Sequence, residues 1–263
     1  MLIERFFAKS GTFEPYRMYT AEHLIMAMIC FCVLAVALCF GRRANGQKVL
    51  IITRVCSCLL WMLEIIKIVF NIFSGNLEHP NSYIPLYFCS IPLYCSIMSG
   101  WGKGRIKRIG DVFLTVGGIV GGMAYILSPN TTAGIYPSFH FITFQSYILH
   151  CIMIYLSALY VITDYCKPKM RDIRYYALTV TTVCITAYIV NCFLESNLMF
   201  VSRNFPGTVM ELIYNFSPTL FPFIMTFVQA VPPYLVVYGL IKLFRKLQIK
   251  TLPETEFHIY KTD

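Results

Sequence analysis

Residues 21–73 read AEHLIMAMICFCVLAVALCF, then GRRANGQK, then VLIITRVCSCLLWMLEIIKIVFNIF. Two long apolar blocks flank a short loop that carries Arg42, Arg43 and Lys48. A transmembrane helix needs about 20 apolar residues, and both blocks are long enough. Neither block shows the alternation over about ten residues that marks a membrane β-strand. This stretch therefore predicts two membrane-spanning helices joined by a basic loop.

The rest of the chain repeats the same pattern. Of its 263 residues, 57% are hydrophobic and only 13% are charged, whereas soluble domains contain about 25% charged residues. We therefore expect an all-α fold, a polytopic bundle of seven transmembrane helices that forms a single transmembrane domain over residues 1–263. The predicted spans are about 21–40, 49–73, 84–100, 110–127, 139–163, 174–194 and 219–244. Residues 1–20 are expected to hold a short interfacial segment, and 251–263 a cytoplasmic tail.

Loop charge predicts the orientation of these spans. The first, third and fifth loops and the segment after the last span contain clusters of Lys and Arg. The second and fourth loops contain neither, and the sixth contains only Arg203. Basic loops stay on the cytoplasmic side, so the pattern predicts a multi-pass protein of the cell membrane with its N-terminus outside and its C-terminus inside. Arg5, Lys9 and Arg17 in the N-terminal segment run against this rule.

Charge and cysteine content exclude other classes. The net charge of +9 is spread over separate loops, so no nucleic-acid partner is expected. All eleven cysteines except Cys166 fall within predicted spans, which argues against a disulfide framework. No Cys/His quartet has the spacing of a zinc site, and no cofactor or metal is predicted. The sequence does not specify an oligomeric state.

Polar residues recur along three of the predicted spans, and polar groups inside a membrane usually face the bundle interior. These stripes are Ser57, Glu64 and Asn71; Thr143, Ser146, Tyr147, His150 and Ser157; and Thr181, Tyr188, Asn191 and Glu195. Glu64 and Lys67 are one helical turn apart and are predicted to pair, either as a structural ion pair or as part of a substrate path. Together with His23, these groups gather in the outer half of the membrane. The inner half is expected to hold few polar residues beyond Arg54.

The third predicted span is short and contains Pro85 and Pro92. Pro92 cannot donate a hydrogen bond, so the Phe88 carbonyl beside Cys89 is predicted to be free. A thiol in apolar surroundings needs a neighbouring base to act as a nucleophile, and His150 is the histidine in the interior of a span. At the helical rise, Cys89 lies about 8 Å and His150 about 16 Å from the outer ends of their spans. Inert packing is the alternative role for both residues.

Six short segments carry a resemblance to a known family. They are TAEHLIMAM at 20–28, LEIIK at 63–67, IPLYFCSIPLY at 84–94, YPSFHF at 136–141, SYILHCIMIYLSALY at 146–160 and SNLMF at 196–200. The chain resembles the YwaF-like family of integral membrane proteins, to which an animal family of ether-phospholipid acyltransferases with a cysteine active centre is related. Bacterial members often have His where this chain has Tyr87, which puts a catalytic role for position 87 in doubt.

The resemblance implies acyl transfer between phospholipids and lysophospholipids. Cys89 matches the family's cysteine and would form a thioester, with His150 as the general base. Glu64, Lys67, His23, Asn191 and Asn197 would then support His150 or bind the substrate. Three alternatives stay open: a lipid acyl hydrolase, a transporter or small-solute or lipid-binding component without catalysis, and a non-enzymatic scaffold or sensor. An acyl-thioester trapped on Cys89 would separate the enzyme from the non-catalytic alternatives.

Overall fold

The computed structural model of the protein describes residues 2–77 and 80–250; the predicted tail at 251–263 lies outside them. The fold is 73% helical, and the described residues contain no β-strand. The α-helices are α1 (Leu2–Phe6), α2 (Ala21–Gly41), α3 (Gly46–Phe73), α4 (Ile91–Trp101), α5 (Gly104–Leu127), α6 (Phe141–Ile162), α7 (Ile173–Leu194), α8 (Val209–Phe216), α9 (Phe221–Ala230) and α10 (Pro232–Lys250).

Six stretches of helix are long and apolar enough to cross a membrane. They are α2, α3, α5, α6, the stretch Met170–Leu194 that contains α7, and the stretch Phe221–Leu247 that contains α9 and α10. The last of these is interrupted at Val231, where the chain leaves ideal helical geometry before Pro232 and Pro233. The all-helical, multi-pass architecture predicted from the sequence is therefore confirmed at this level.

The third predicted span differs from its prediction. Residues 84–87 are not helical, a 3₁₀ turn covers Phe88–Ser90, and α4 contains only 11 residues. At 1.5 Å per residue, α4 is about 16 Å long, roughly half the hydrocarbon thickness. Pro85 precedes the helical part of this segment and lies outside α4.

Helix α5 lies at the centre of the bundle between α4 and α6, and most of its residues are buried. Small residues allow this close packing. A Cβ atom added at Gly118 would lie 2.8 Å from the Met153 carbonyl oxygen of α6, and one at Gly122 would lie 2.4 Å from Ile154 Cγ1. Any larger side chain at these positions would push α6 away from α5.

The loops gather at two ends of the bundle. At one end, Ser10 binds Asn76 through its amide and hydroxyl, while the Tyr16 amide donates to Tyr136 and the Gly134 amide donates to Tyr16. The N-terminal segment therefore packs against the second and fourth loops, which lack Lys and Arg. The basic loops lie at the opposite end, where Arg245 bonds Asp164 at 2.9 Å.

Two of the three predicted polar stripes face inward. Ser57, Glu64 and Asn71 of α3 are buried, as are Thr143, Tyr147, His150 and Ser157 of α6. The stripe predicted on α7 is wrong in part, because Tyr188 is 44% exposed and Glu195 lies on the surface. Only Asn191 of that stripe is fully buried, and it turns toward the loop that follows α7 rather than toward α3 or α6.

Candidate functional site

The Glu64–Lys67 ion pair is present, as the one-turn spacing predicted. Lys67 Nζ lies 2.6 Å from Glu64 Oε1, with side-chain exposures of 18% and 3%. Charges within an apolar bundle are tolerated when they are paired in this way. The pair lies where α3 meets α6, since the Gln145 side chain of α6 donates to the Leu63 carbonyl oxygen at 3.3 Å.

His150 is buried in α6 and presents one unsatisfied nitrogen. Its Nδ1 lies 2.6 Å from the Ser146 carbonyl oxygen, and a carbonyl oxygen can only accept, so Nδ1 carries the proton in the neutral ring. Nε2 is then the atom with the free lone pair. It is fully buried and has no hydrogen-bond partner among the described residues. This is the tautomer that a general base requires.

The ring of Tyr125 from α5 holds the imidazole in place. The two rings stack with centroids 3.9 Å apart and an interplanar angle of 10°. Thr132 Oγ1 lies 2.8 Å from both the Tyr125 and Tyr16 hydroxyl oxygens. The His150 ring is thus held on one side by a hydrogen bond within α6 and on the other by the Tyr125 ring. Hydrogen bonds through Thr132 connect Tyr125 to Tyr16 of the N-terminal segment. Tyr125 was missed from the sequence; its one signal there is its position a single turn beyond Gly121 and Gly122.

Cys89 lies in the 3₁₀ turn directly before α4. Its thiol points at α5, with Sγ 3.9 Å from the Gly121 carbonyl oxygen. The predicted free carbonyl at Phe88 is wrong, because the Ile91 amide donates to it. Pro92 falls in the first turn of α4, where its missing N–H costs nothing. The sulfur consequently sits at the positive end of a helix, where negative charge is stabilised.

Helix α5 brings the cysteine and the histidine segments to one place. Cys89 faces Gly121, while a Cβ atom at the adjacent Gly122 would lie 3.0 Å from the His150 carbonyl oxygen. The segments that carry Cys89 and His150 therefore pack against the same two glycines of α5, and this is the neighbourhood of the candidate site.

The predicted difference in depth between Cys89 and His150 came from treating residues 84–89 as helical. Residues 84–87 are not helical and Phe88–Ser90 form a 3₁₀ turn, so the α-helical rise used for Cys89 does not apply to this segment. His150 is nine positions into α6, which at helical rise is about 14 Å.

His23 lies at the edge of this neighbourhood and both its ring nitrogens are engaged. Nδ1 accepts from the Tyr19 amide at 3.0 Å, which leaves Nε2–H to donate to the Ile126 carbonyl oxygen at 2.9 Å. The neighbour of Ile126 in the chain is Tyr125. His23 therefore joins α2 to the end of α5 beside Tyr125.

Asn191 and Asn197 hold together the loop that follows α7. The Asn191 amide group donates to the Leu198 carbonyl and to Ser202, and its oxygen accepts from Ser196 and from the Leu198 amide. Asn197 bonds the main chain of Ser202 and Arg203. In the same loop, the Phe200 ring lies 5.8 Å from the Tyr87 ring. The two asparagines thus position a loop that packs beside the Cys89 segment.

Within residues 2–77 and 80–250, no three His, Cys, Asp or Glu side chains come together as a metal site requires. All eleven cysteines are free thiols.

A comparison with known protein families identifies the family of the chain. The model of the TMEM164 family matches residues 18–242, which is most of the chain and includes all seven candidate residues. The chain belongs to the TMEM164 family. The matching family does not carry the YwaF-like name of the sequence-based resemblance. No curated protein and no solved structure matches this TMEM164-family chain.

A second polar cluster in this TMEM164-family chain corrects the expectation for the inner half of the bundle. The Tyr160 hydroxyl lies 2.8 Å from Thr53 Oγ1 and 2.7 Å from Ser99 Oγ, which in turn donates to Asp111 at 2.5 Å. Lys107 completes the chain with an ion pair to Asp111 at 2.8 Å. Every hydroxyl and carboxylate here has a partner, so the cluster ties α3, α4, α5 and α6 together.

Proposed function

We propose that this protein is a membrane-embedded acyltransferase that moves a fatty acyl chain between a phospholipid and a lysophospholipid through a thioester on Cys89. The observation that carries the proposal is the buried, unpartnered Nε2 of His150, held in the basic tautomer by Ser146. Membership of the TMEM164 family supports it, since that family is one of animal ether-lipid acyltransferases.

The first half-reaction transfers the acyl group to the enzyme. His150 Nε2 takes the proton of the Cys89 thiol, and the thiolate attacks the carbonyl carbon of a phospholipid ester. The tetrahedral intermediate collapses by breaking the bond to the glycerol oxygen. His150 returns its proton to that oxygen, so lysophospholipid leaves and the acyl group stays on sulfur.

The second half-reaction transfers the acyl group from Cys89 to a lysophospholipid. His150 Nε2 removes the proton of a lysophospholipid hydroxyl, and the oxygen attacks the thioester carbonyl. The carbon–sulfur bond then breaks, and the thiolate recovers the proton from His150. Water in place of the lysophospholipid would make the same site a lipid acyl hydrolase, so exclusion of water from the buried site favours transfer.

Lys67 and Glu64 set the electrostatics of these steps. The Lys67 ammonium stabilises the thiolate and, equally, the negative charge that develops on the tetrahedral oxygen. An unpaired ammonium would also oppose the imidazolium form of His150. Glu64, at 2.6 Å from Lys67, offsets that repulsion, so the pair can favour the thiolate without preventing proton transfer.

The topology belongs to the same proposal. The chain crosses the cell membrane seven times, N-terminus outside and C-terminus inside, with residues 84–100 as the broken third crossing. Two contacts support a third crossing that runs along α3. Asn71 near the outer end of α3 donates to the Ser82 carbonyl at 3.0 Å, and Arg54 near its inner end donates to the Gly100 carbonyl at 2.7 Å. Externally applied thiol reagent should label a cysteine placed at Ser74 but not one at Gly46. Labelling of a cysteine at Gly46 in intact cells would contradict the proposed orientation.

The acyl-enzyme provides the test of the chemistry. Purified protein is incubated with a phospholipid that carries a labelled acyl chain, without an acceptor, and the intact mass is measured before and after hydroxylamine, which cleaves thioesters. Wild type should gain one hydroxylamine-sensitive acyl group and release it when lysophospholipid is added. Cys89→Ala and His150→Ala should gain none, while Cys58→Ala, which removes an exposed thiol of α3, should behave as wild type. Full acyl transfer by Cys89→Ala would end the proposal.

A further inference from the structure

A recess opens at the basic end of the bundle, remote from Cys89. Its volume is about 620 Å³, and it lies between α5, the start of α7 and the loop that joins α6 to α7. Ligand sites generally have volumes of roughly 300–1,000 Å³. Its walls include the rings of Tyr165 and Tyr175.

The floor of the recess is rigid. Arg108 forms an ion pair with the buried Asp172 and donates to the Lys167 carbonyl at 2.8 Å. Asp172 also accepts from the Lys169 amide at 2.8 Å. Each floor group therefore has several fixed partners.

The rim carries an excess of positive charge. Both acidic residues of the recess are already engaged: Asp172 with Arg108, and Asp164 with Arg245 at 2.9 Å and Lys167 at 3.6 Å. Three further cations of the rim have no carboxylate partner among the described residues, namely Lys169, Arg171 and Arg174. The recess thus offers unneutralised donors around a preformed cavity.

We propose that this recess binds a phosphate group, and that the phosphate is the head group of an anionic phospholipid in the adjoining leaflet. Arginine recognises phosphate through two parallel hydrogen bonds, and basic pockets between helices on the cytoplasmic side bind lipid head groups. Orientation of the spans requires positive charge but no cavity, whereas here the cations surround a recess of about 620 Å³.

The test compares two equal losses of charge from the basic end. Binding of short-chain phosphatidic acid, inorganic phosphate and short-chain phosphatidylcholine to the full-length protein in neutral nanodiscs is measured by thermophoresis. Arg171→Gln/Arg174→Gln removes two rim charges, and Arg42→Gln/Arg43→Gln removes two charges outside the recess. We expect phosphatidic acid to bind at least about 10-fold more weakly to the first variant, since each lost bond involves charged partners, and within about 2-fold of wild type to the second. Lys169→Gln/Arg171→Gln provides a second rim variant that leaves Arg174 in place.

The outcomes separate the sources of phosphate. Rim-dependent binding of phosphatidic acid, with little binding of inorganic phosphate, supports a lipid head group. Equal rim-dependent binding of both probes assigns the recess to free phosphate and overturns the lipid source. Equal losses in the rim and first-loop variants, or equal binding of phosphatidylcholine, would show general attraction to a basic surface and overturn the site. Cys89→Ala should bind as wild type, so this result is independent of acyl transfer.

Discussion

Breaking the Glu64–Lys67 pair should reveal how strongly the candidate site depends on it. Lys67→Met leaves the Glu64 carboxylate without its partner, and that side chain is only 3% exposed. Removing one member of a buried pair typically costs about 3–5 kcal/mol. For a chain of this size each kcal/mol corresponds to about 2–4 °C, so the melting temperature should fall by about 6–20 °C.

Glu64→Gln should cost less than Lys67→Met. The orphaned Lys67 ammonium is 18% exposed, and a long lysine side chain can extend its charge toward water. The double variant Glu64→Gln/Lys67→Met removes both charges and should recover much of the loss, because neutral residues of similar volume often replace a buried pair without penalty.

The assay is thermal unfolding of the purified protein in detergent, followed by size-exclusion recovery. Glu195→Gln and Arg203→Met form the matched control, since that pair is 3.8 Å apart and its side chains are 88% and 55% exposed. Exposed pairs contribute about 0–1 kcal/mol, so these variants should melt near wild type. Losses from Glu64→Gln and Lys67→Met that simply add in the double variant would refute the interaction.

Three further predictions follow from the packing around the site. Tyr125→Leu should lower acyl turnover by about 10-fold or more, with substrate binding unchanged. Tyr125→Phe keeps the stacked ring and should retain most activity. Equal losses of turnover in the two variants would refute a positioning role for the Tyr125 ring. Gly122→Ala should destabilise the protein by about 1–3 kcal/mol through overpacking. Gly239→Ala, where an added Cβ atom meets nothing within 4 Å, should be neutral or stabilising. A lower melting temperature for Gly239→Ala than for Gly122→Ala would refute the close approach of α5 and α6. Burial lowers the pKa of His140 below its ordinary value of 6.5. The unfolded chain therefore binds more protons, and the free energy of unfolding should fall as the pH drops below about 6.5. Between pH 7 and pH 5 the free energy of unfolding should change less with pH for His140→Gln than for wild type, and identical slopes would contradict the assignment.

Local spacing in the sequence predicted the parts of the site that depend on one helix. Glu64 and Lys67 pair because residues three apart are neighbours on a helix surface. The inward direction of His150 follows equally from its stripe on α6. These features need no knowledge of which helices pack together.

Features that depend on contacts between helices could not be read from the chain. Tyr125 and His150 are stacked in space but lie 25 positions apart, and nothing in either segment specifies the other. The inner polar cluster was missed for the same reason. Taken one span at a time, nothing in the sequence indicates that Thr53, Ser99 and Tyr160 form a hydrogen-bonded cluster with Asp111. Their hydrogen bonds become visible only once four helices are assembled.

The break before α4 determines where Cys89 lies relative to the start of that helix. A continuous helix from Ile84 would place its free amides near the outer surface and leave Cys89 in the middle of a turn. The observed chain starts its helix late, so the positive end of α4 lies beside Cys89 inside the bundle. Non-helical backbone at such depth is tolerated only where protein satisfies it, and here the Ile84 amide donates to the Pro80 carbonyl and the Tyr94 hydroxyl donates to the Pro85 carbonyl. The late start of α4 is therefore the feature that would stabilise the Cys89 thiolate of the proposed mechanism.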